Sequence, residues 1–296
     1  MSGLTSLGYQ TLWTRLLASG TGGSTYVFTV ILALFLVGLA VGAVLFATLR
    51  RGIRNWVALL AACQIATAAL AITGLVRVIS QPRSIASLHL ADVFQMLFSA
   101  ALPVVLPTTI VMGLAFPAAS ALLADRSGRV ATAAGQLLAA NTFGAICGTF
   151  LIPFVVIPAM GSPTAVVLLA LVNAATGIAL ALARLGGRTR AATSAVGALV
   201  AAAIVATAVR PGLVVDPTVA RILNVGGRID ASTEDEIAST QAGQLGRRKR
   251  LWVGGTSMTS LTVDAKLMTI VPVMLRPDAE RALVVAFGMG SSFVPG

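Results

Sequence analysis

Apolar residues in this chain fall into six long runs separated by short polar ones: residues 26–48, 56–76, 94–123, 130–160, 164–183 and 192–209. A helix rises about 1.5 Å per residue, so about 20 apolar residues cross a hydrocarbon core about 30 Å thick. The pattern predicts an all-α polytopic membrane bundle of about six spans. Pro103, Pro107 and Pro117 interrupt the third run, and Pro153 and Pro158 lie near the end of the fourth. Each removes a backbone donor and crowds the preceding turn, so kinks are expected there. The last run, mostly alanine, is the weakest span; whether it crosses decides the side on which the tail lies.

Residues 113–161 form the centre of this pattern: two apolar arms joined by the charged turn Asp125-Arg126-Ser127-Gly128-Arg129. The arms are rich in small residues, among them Gly113, Ala118, Gly135, Ala140, Gly144 and Gly148. Helices in lipid gain nothing by burying apolar side chains against each other, so close backbone approach joins them. Gly144 and Gly148 make a G-x-x-x-G face, and Gly38 and Gly42 make another in the first span. Asn141 places an amide one turn before the former face. Together with Gln64, Gln136 and Asn173 it reads as a helix-packing amide or as part of a polar path.

Composition agrees: 57% of residues are hydrophobic, 10% are charged and mean hydropathy is +0.92. Soluble domains carry about 25% charged residues. The net charge of +11 is uneven, with eleven Arg and two acids, Asp92 and Asp125, up to Val209, then ten basic residues and eight acids. The loops after the first, third and fifth spans hold Arg50, Arg51, Arg54, Arg126, Arg129, Arg184, Arg188 and Arg190; the opposite loops hold Arg77 and Arg83. By the positive-inside tendency the first set is cytoplasmic. Six crossings then put everything after Arg210 on the outer side. No basic face interleaved with aromatics supports nucleic-acid binding. Lipid is the expected partner, with self-association or other membrane helices beside it.

Residues 2–17 are too short and polar to span alone and lack the form of a signal peptide. They read as the end of a helix whose front is missing, with Trp13 and Arg15 at the interface. After the membrane domain (1–210), residues 211–250 read as a polar linker containing Glu234-Asp235-Glu236 and Arg247-Arg248-Lys249-Arg250. Strand-like runs follow at 251–253, 260–263 and 282–287, the last leading into Gly288-Met289-Gly290-Ser291-Ser292.

Candidate chemistry is sparse. Cys63 and Cys147 lie in apolar runs and imply no disulfide, and His89 has no ligand company, so no metal site is expected. No Ser-His-Asp group or paired carboxylates occur, and no acid lies well inside a span, where proton-coupled transporters keep one. A strand running into G-x-G is how backbone approaches nucleotide and S-adenosyl groups, although a glycine turn after any strand looks the same. The third glycine position holds Ser292, and no acid follows to hold a ribose.

Four membrane motifs then acquire a meaning together: Tyr9-Gln10-Thr11-Leu12-Trp13-Thr14-Arg15-Leu16-Leu17, Gly38-Leu39-Ala40-Val41-Gly42, Gly113-Leu114-Ala115-Phe116-Pro117 and Asn141-Thr142-Phe143-Gly144-Ala145. With Leu251-Trp252-Val253-Gly254-Gly255, Val271-Pro272-Val273-Met274-Leu275-Arg276-Pro277 and the glycine turn, this succession resembles bacterial fused spermidine synthases. The resemblance implies a major-facilitator-like helical region in a bacterial inner membrane. It also implies that residues 251–296 are the truncated beginning of an α/β, Rossmann-like, S-adenosyl-cofactor domain. The family transfers an aminopropyl group from decarboxylated S-adenosylmethionine to putrescine, in polyamine biosynthesis. Only Gly288 and Gly290 carry over, as cofactor-contact positions; no catalytic residue does, and Ile270 stands where soluble members tend to have histidine. The chain is thus expected to be inactive and to need no cofactor itself. The other reading is a non-enzymatic membrane protein, a transporter-like bundle or a helix-packing scaffold.

Topology follows from charge alone. Reporter fusions in the loops at 50–54, 126–129 and 184–190 should all report the cytoplasm, and an external signal at any of them overturns the arrangement.

Overall fold

The computed structural model describes residues 2–19, 25–81, 90–127, 130–260, 263–278, 281 and 283. Six of its helices are long and apolar enough to cross a membrane. They are α2 (Thr25–Leu49), α3 (Trp56–Ser80), α4 (Leu90–Ser127), α5 (Val130–Leu151) with its continuation to Met160, α7 (Ser162–Arg184) and α8 (Gly187–Ala208). The alanine-rich run is therefore a full helix of 22 residues. The fourth span bends through a π-turn at Ile152–Val156 into the short α6 (Ile157–Met160). Pro153 lies in that turn and has no N–H to give, which favours the wider register. α4 instead runs unbroken past its three prolines.

The segment before these spans departs from expectation. Residues Ser2–Ala18 form a helix, α1, inserted among α2, α4, α5 and α7. Trp13 is enclosed by protein: it is 1% exposed, and a Cβ added to Gly74 of α3 would stand 3.2 Å from its ring. Tyr9 stacks on Trp13 and accepts a hydrogen bond from Asn173 of α7 at 3.3 Å. Asn173 is thus a packing amide.

Glycine sets how close these helices come. A Cβ on Gly148 would lie 2.5 Å from the Leu4 carbonyl oxygen, and one on Gly3 would lie 2.0 Å from the Asn141 carbonyl oxygen. α1 and α5 therefore touch backbone to backbone. The second G-x-x-x-G face works likewise, Gly42 meeting Gly113 of α4 (2.8 Å from an added Cβ to its Cα). The outer sides of the spans are apolar and exposed, as at Phe143 (71%) and Leu199 (70%), which suits lipid contact.

The polar stretch expected to be a linker is folded. Asp216 caps α9 (Pro217–Asn224), its Oδ1 accepting from the Thr218 N–H at 2.7 Å. Strands β1 (Arg228–Glu234), β2 (Ser239–Leu245), β3 (Arg248–Val253) and β4 (Thr256–Ser260) follow as an antiparallel meander in the order β1-β2-β3-β4. Gly246 (φ 61°), Gly254 (φ 56°) and Gly255 (φ 80°) supply the left-handed turns between strands. β1 and β2 hide from a hydrophobicity reading because they carry few large apolar residues, whereas the strand-like run at 251–253 forms the end of β3, with Trp252 buried. The strand expected at 260–263 ends at Ser260, and α10 (Val263–Leu275) takes up the Val-Pro-Val motif. Of the run 282–287 only Leu283 is described.

Gly148→Ala should destabilise the bundle, and Gly148→Leu should cost about 1–3 kcal/mol by overpacking. Gly135, with nothing within 4 Å of an added Cβ, is the control. Gly135→Ala should hold or raise the melting temperature in detergent, since alanine is the better helix former. Equal responses at the two positions would put both on the lipid side.

Candidate functional site

The first turn of α7 has a defect that the rest of the chain repairs. Its N-cap is Gly161, at φ 78° and without a side chain to accept the free N–H groups of the helix start. Glu234, at the end of β1, supplies the acceptor from a distance of 72 residues in sequence. Its Oε2 accepts from the Ser162 N–H at 2.7 Å, and its Oε1 accepts from the Ser162 hydroxyl. A Cβ at position 161 would stand 3.3 Å from Oε2, so glycine also leaves room for the carboxylate. A negative charge there also meets the positive end of the helix dipole.

The same carboxylate receives Arg15 from the last turn of α1. Arg15 Nε donates to Glu234 Oε1 at 3.1 Å, and Nη2 lies 3.1 Å from that oxygen. Nη1 and Nη2 also donate to the Glu236 and Asp235 carbonyls, at 2.8 and 2.7 Å. The side chains of Arg15 and Glu234 are 16% and 12% exposed, so the pair is shielded from solvent. Such charge-assisted bonds are stronger than a surface pair.

The β1–β2 turn is itself held by Asp235, whose Oδ1 accepts from the Ile237 and Ala238 N–H groups at 2.8 and 2.7 Å. Those two bonds, Ala238 first, hold its carboxyl below the usual range. Because the folded form is depressed, this contribution is present above the unfolded pKa and is lost as pH falls through the folded one.

A second tie lies beside the first. The Ser19 and Thr218 hydroxyls meet at 2.6 Å, and Ala220 of α9 joins the core of the bundle. Arg221 reaches from α9 to the Gly255 carbonyl; burial lowers its pKa, and Asp216 partly opposes this. Between bundle and sheet is a cavity of about 380 Å³ lined by Arg15, Glu234, Asp216, Ser239, Gly254 and Thr256 among others. Arg15 and Glu234 already satisfy each other there, so the arrangement is a clamp. The Ser162 hydroxyl does bond the Glu234 carboxylate, but Arg15 pairs with the same oxygen, so the contact serves the clamp.

The sequence-predicted cofactor positions Gly288 and Gly290 lie outside the described residues, as does His89. Among the described residues no group of three His, Cys, Asp or Glu could hold a metal. Of the amides expected to share a path or pack helices, Asn173 is buried on Tyr9 while Gln136 is exposed. Arg15, Ser162 and Glu234 were not legible as a site. The available signal was a lone arginine ending one helix and a serine beginning another, and nothing in sequence pairs them with an acid so far away. Comparison with known proteins finds no matching family model, curated protein or solved structure.

The clamp is measurable as a coupling. In a double-mutant cycle, Arg15→Ala and Glu234→Ala should couple by about 1–3 kcal/mol in detergent unfolding. Glu234→Ala should also speed trypsin cleavage in the tail while leaving the six-span bundle folded. Additive effects would mean that the two ends are held independently.

Proposed function

We propose that this chain is a membrane platform that holds a water-facing C-terminal module against one end of a six-span bundle. The observation that carries this is the Arg15–Glu234–Ser162 clamp, in which one carboxylate of the tail bonds the last turn of α1 and the first turn of α7. Nothing in the spans favours transport. No Asp or Glu lies well inside one, and the buried Thr108 and Thr109 hydroxyls donate back to carbonyls of their own helix. A scaffold needs no polar path.

In this proposal the module is of the spermidine-synthase type, and the membrane is a bacterial inner membrane. The support is the ordered succession of motifs from Tyr9 to Gly290. The chemistry of that family is aminopropyl transfer from decarboxylated S-adenosylmethionine to putrescine, which this chain is not expected to perform. Of the matched positions the resemblance gives only Gly288 and Gly290 a cofactor contact, and it gives none a role on the attacking amine.

The clamp supports one side for the module. α1 ends, α7 begins and α8 leads into α9 at the same end of the bundle, whereas Arg50, Arg51, Arg54, Arg184 and Arg188 lie at the other. The positive-inside tendency makes the module's end extracytoplasmic. A reporter fused after Ser260 should read outside; a cytoplasmic signal would reverse the assignment. Purified protein supplied with putrescine and decarboxylated S-adenosylmethionine should form product at background level. Turnover would place the catalytic groups within these residues and replace the platform reading with an enzyme.

A further inference from the structure

The clamp leaves one motif unused, the basic run Arg247-Arg248-Lys249-Arg250. Gly246 and Arg247 make the turn between β2 and β3, after which Arg248 pairs with Leu245 and Lys249 with Gln244. Gln244 also pairs with Arg228 of β1. Arg228, Arg247, Arg248 and Lys249 thus gather at one end of the sheet, all exposed. Asp230 pairs with Arg228 at 2.8 Å, and among the described residues Arg247, Arg248 and Lys249 form no ion pair. Four cations near one another gain most from an anionic surface outside the fold.

Position points to which surface. β1 is tied to the bundle at both of its ends. At one end Glu234 is held by Arg15 and Ser162. At the other, the Gly227 N–H donates to the Ile222 carbonyl of α9 at 2.9 Å, and α9 is seated on the bundle through Ala220 and Thr218. The strand therefore lies across the helix ends, and its basic end stays near the level where the spans leave the hydrocarbon. Leu223 and Val225, 52% and 63% exposed, lie a few residues before Arg228. Exposed apolar residues beside lysine and arginine are what a segment resting on a lipid surface presents.

We propose that this end of the sheet, Arg228 with Arg247, Arg248 and Lys249, rests on anionic phospholipid headgroups of the membrane that holds the bundle. An acidic protein or a nucleic acid would use the charges but would leave Leu223 and Val225 without a role. Lipid contact here would steady the module beside the clamp without depending on its chemistry.

The test uses the full chain in nanodiscs of phosphatidylcholine alone or mixed with phosphatidylglycerol. An environment-sensitive dye at Asn224→Cys, in a Cys63→Ala/Cys147→Ala background, reports contact through quenching by spin-labelled lipid. Quenching should be severalfold stronger in the anionic discs, and it should fall to the phosphatidylcholine level in Arg247→Gln/Arg248→Gln/Lys249→Gln and in about 0.5 M salt. The charge-keeping version, Arg247→Lys/Arg248→Lys with Lys249 left in place, should retain the effect and so separates charge loss from misfolding. Equal quenching in the two lipids overturns the proposal. So does quenching abolished by a soluble polyanion such as heparin while phosphatidylglycerol adds nothing.

Discussion

The bundle depends on how closely α1 approaches α5. In lipid, apolar side chains gain nothing by leaving their surroundings for one another, so helices associate through backbone contact and dispersion. Gly3, Gly144 and Gly148 remove the side chains that would hold these two helices apart. α5 has few other attachments: along its exposed side Phe143, Ile146 and Phe150 face outward. α1 is therefore the wedge that ties α5 to α7, α2 and α4. Its polar residues, which make it a poor span by composition, are usable because protein surrounds them. The Tyr9 hydroxyl meets Asn173, and the Thr11 and Thr14 hydroxyls donate to carbonyls of their own helix.

That wedge also explains where the tail sits. α1 brings the Arg15 guanidinium to the end of the bundle, beside the start of α7, whose N-cap glycine has no acceptor. A lone arginine at this depth would carry an uncompensated charge, and a bare helix start would leave free N–H groups. One carboxylate answers both needs, so removing Glu234 disturbs two helices at once. The connection is specific because three independent positions, Arg15, Gly161 and Ser162, must all match it.

How much of this the sequence showed divides along physical lines. The six spans were legible because length and apolarity are local properties; even the alanine-rich α8, the weakest by composition, is a full helix. Both G-x-x-x-G faces were legible because close packing in lipid needs small residues at fixed spacing. The enclosure of Trp13 was not legible because an aromatic beside an arginine usually marks an interface, and only the whole bundle shows that α1 is surrounded by protein. Residues 251–253 were legible as strand and end β3, but β1 and β2 were missed because they owe their shape to turns and to pairing with one another, with little apolar periodicity to announce them. Glu234 was hidden for a stronger reason: a partner 219 residues from Arg15 leaves no local trace.

The motifs that carry the family resemblance have, in this fold, an explanation of their own. Tyr9 and Trp13 fill the core, Gly38, Gly42 and Gly113 bring α2 against α4, and Asn141 and Gly144 face the start of α1. Each is at a helix–helix contact, so together they specify how a bundle closes and say little about chemistry. The part of the resemblance that concerns a reaction lies in the tail, where the antiparallel meander and α9 provide attachment to the bundle. A carboxylate able to work on an amine would need a free lone pair facing an open cavity. Glu234 bonds both Arg15 and Ser162, which makes this end of the bundle a place of attachment.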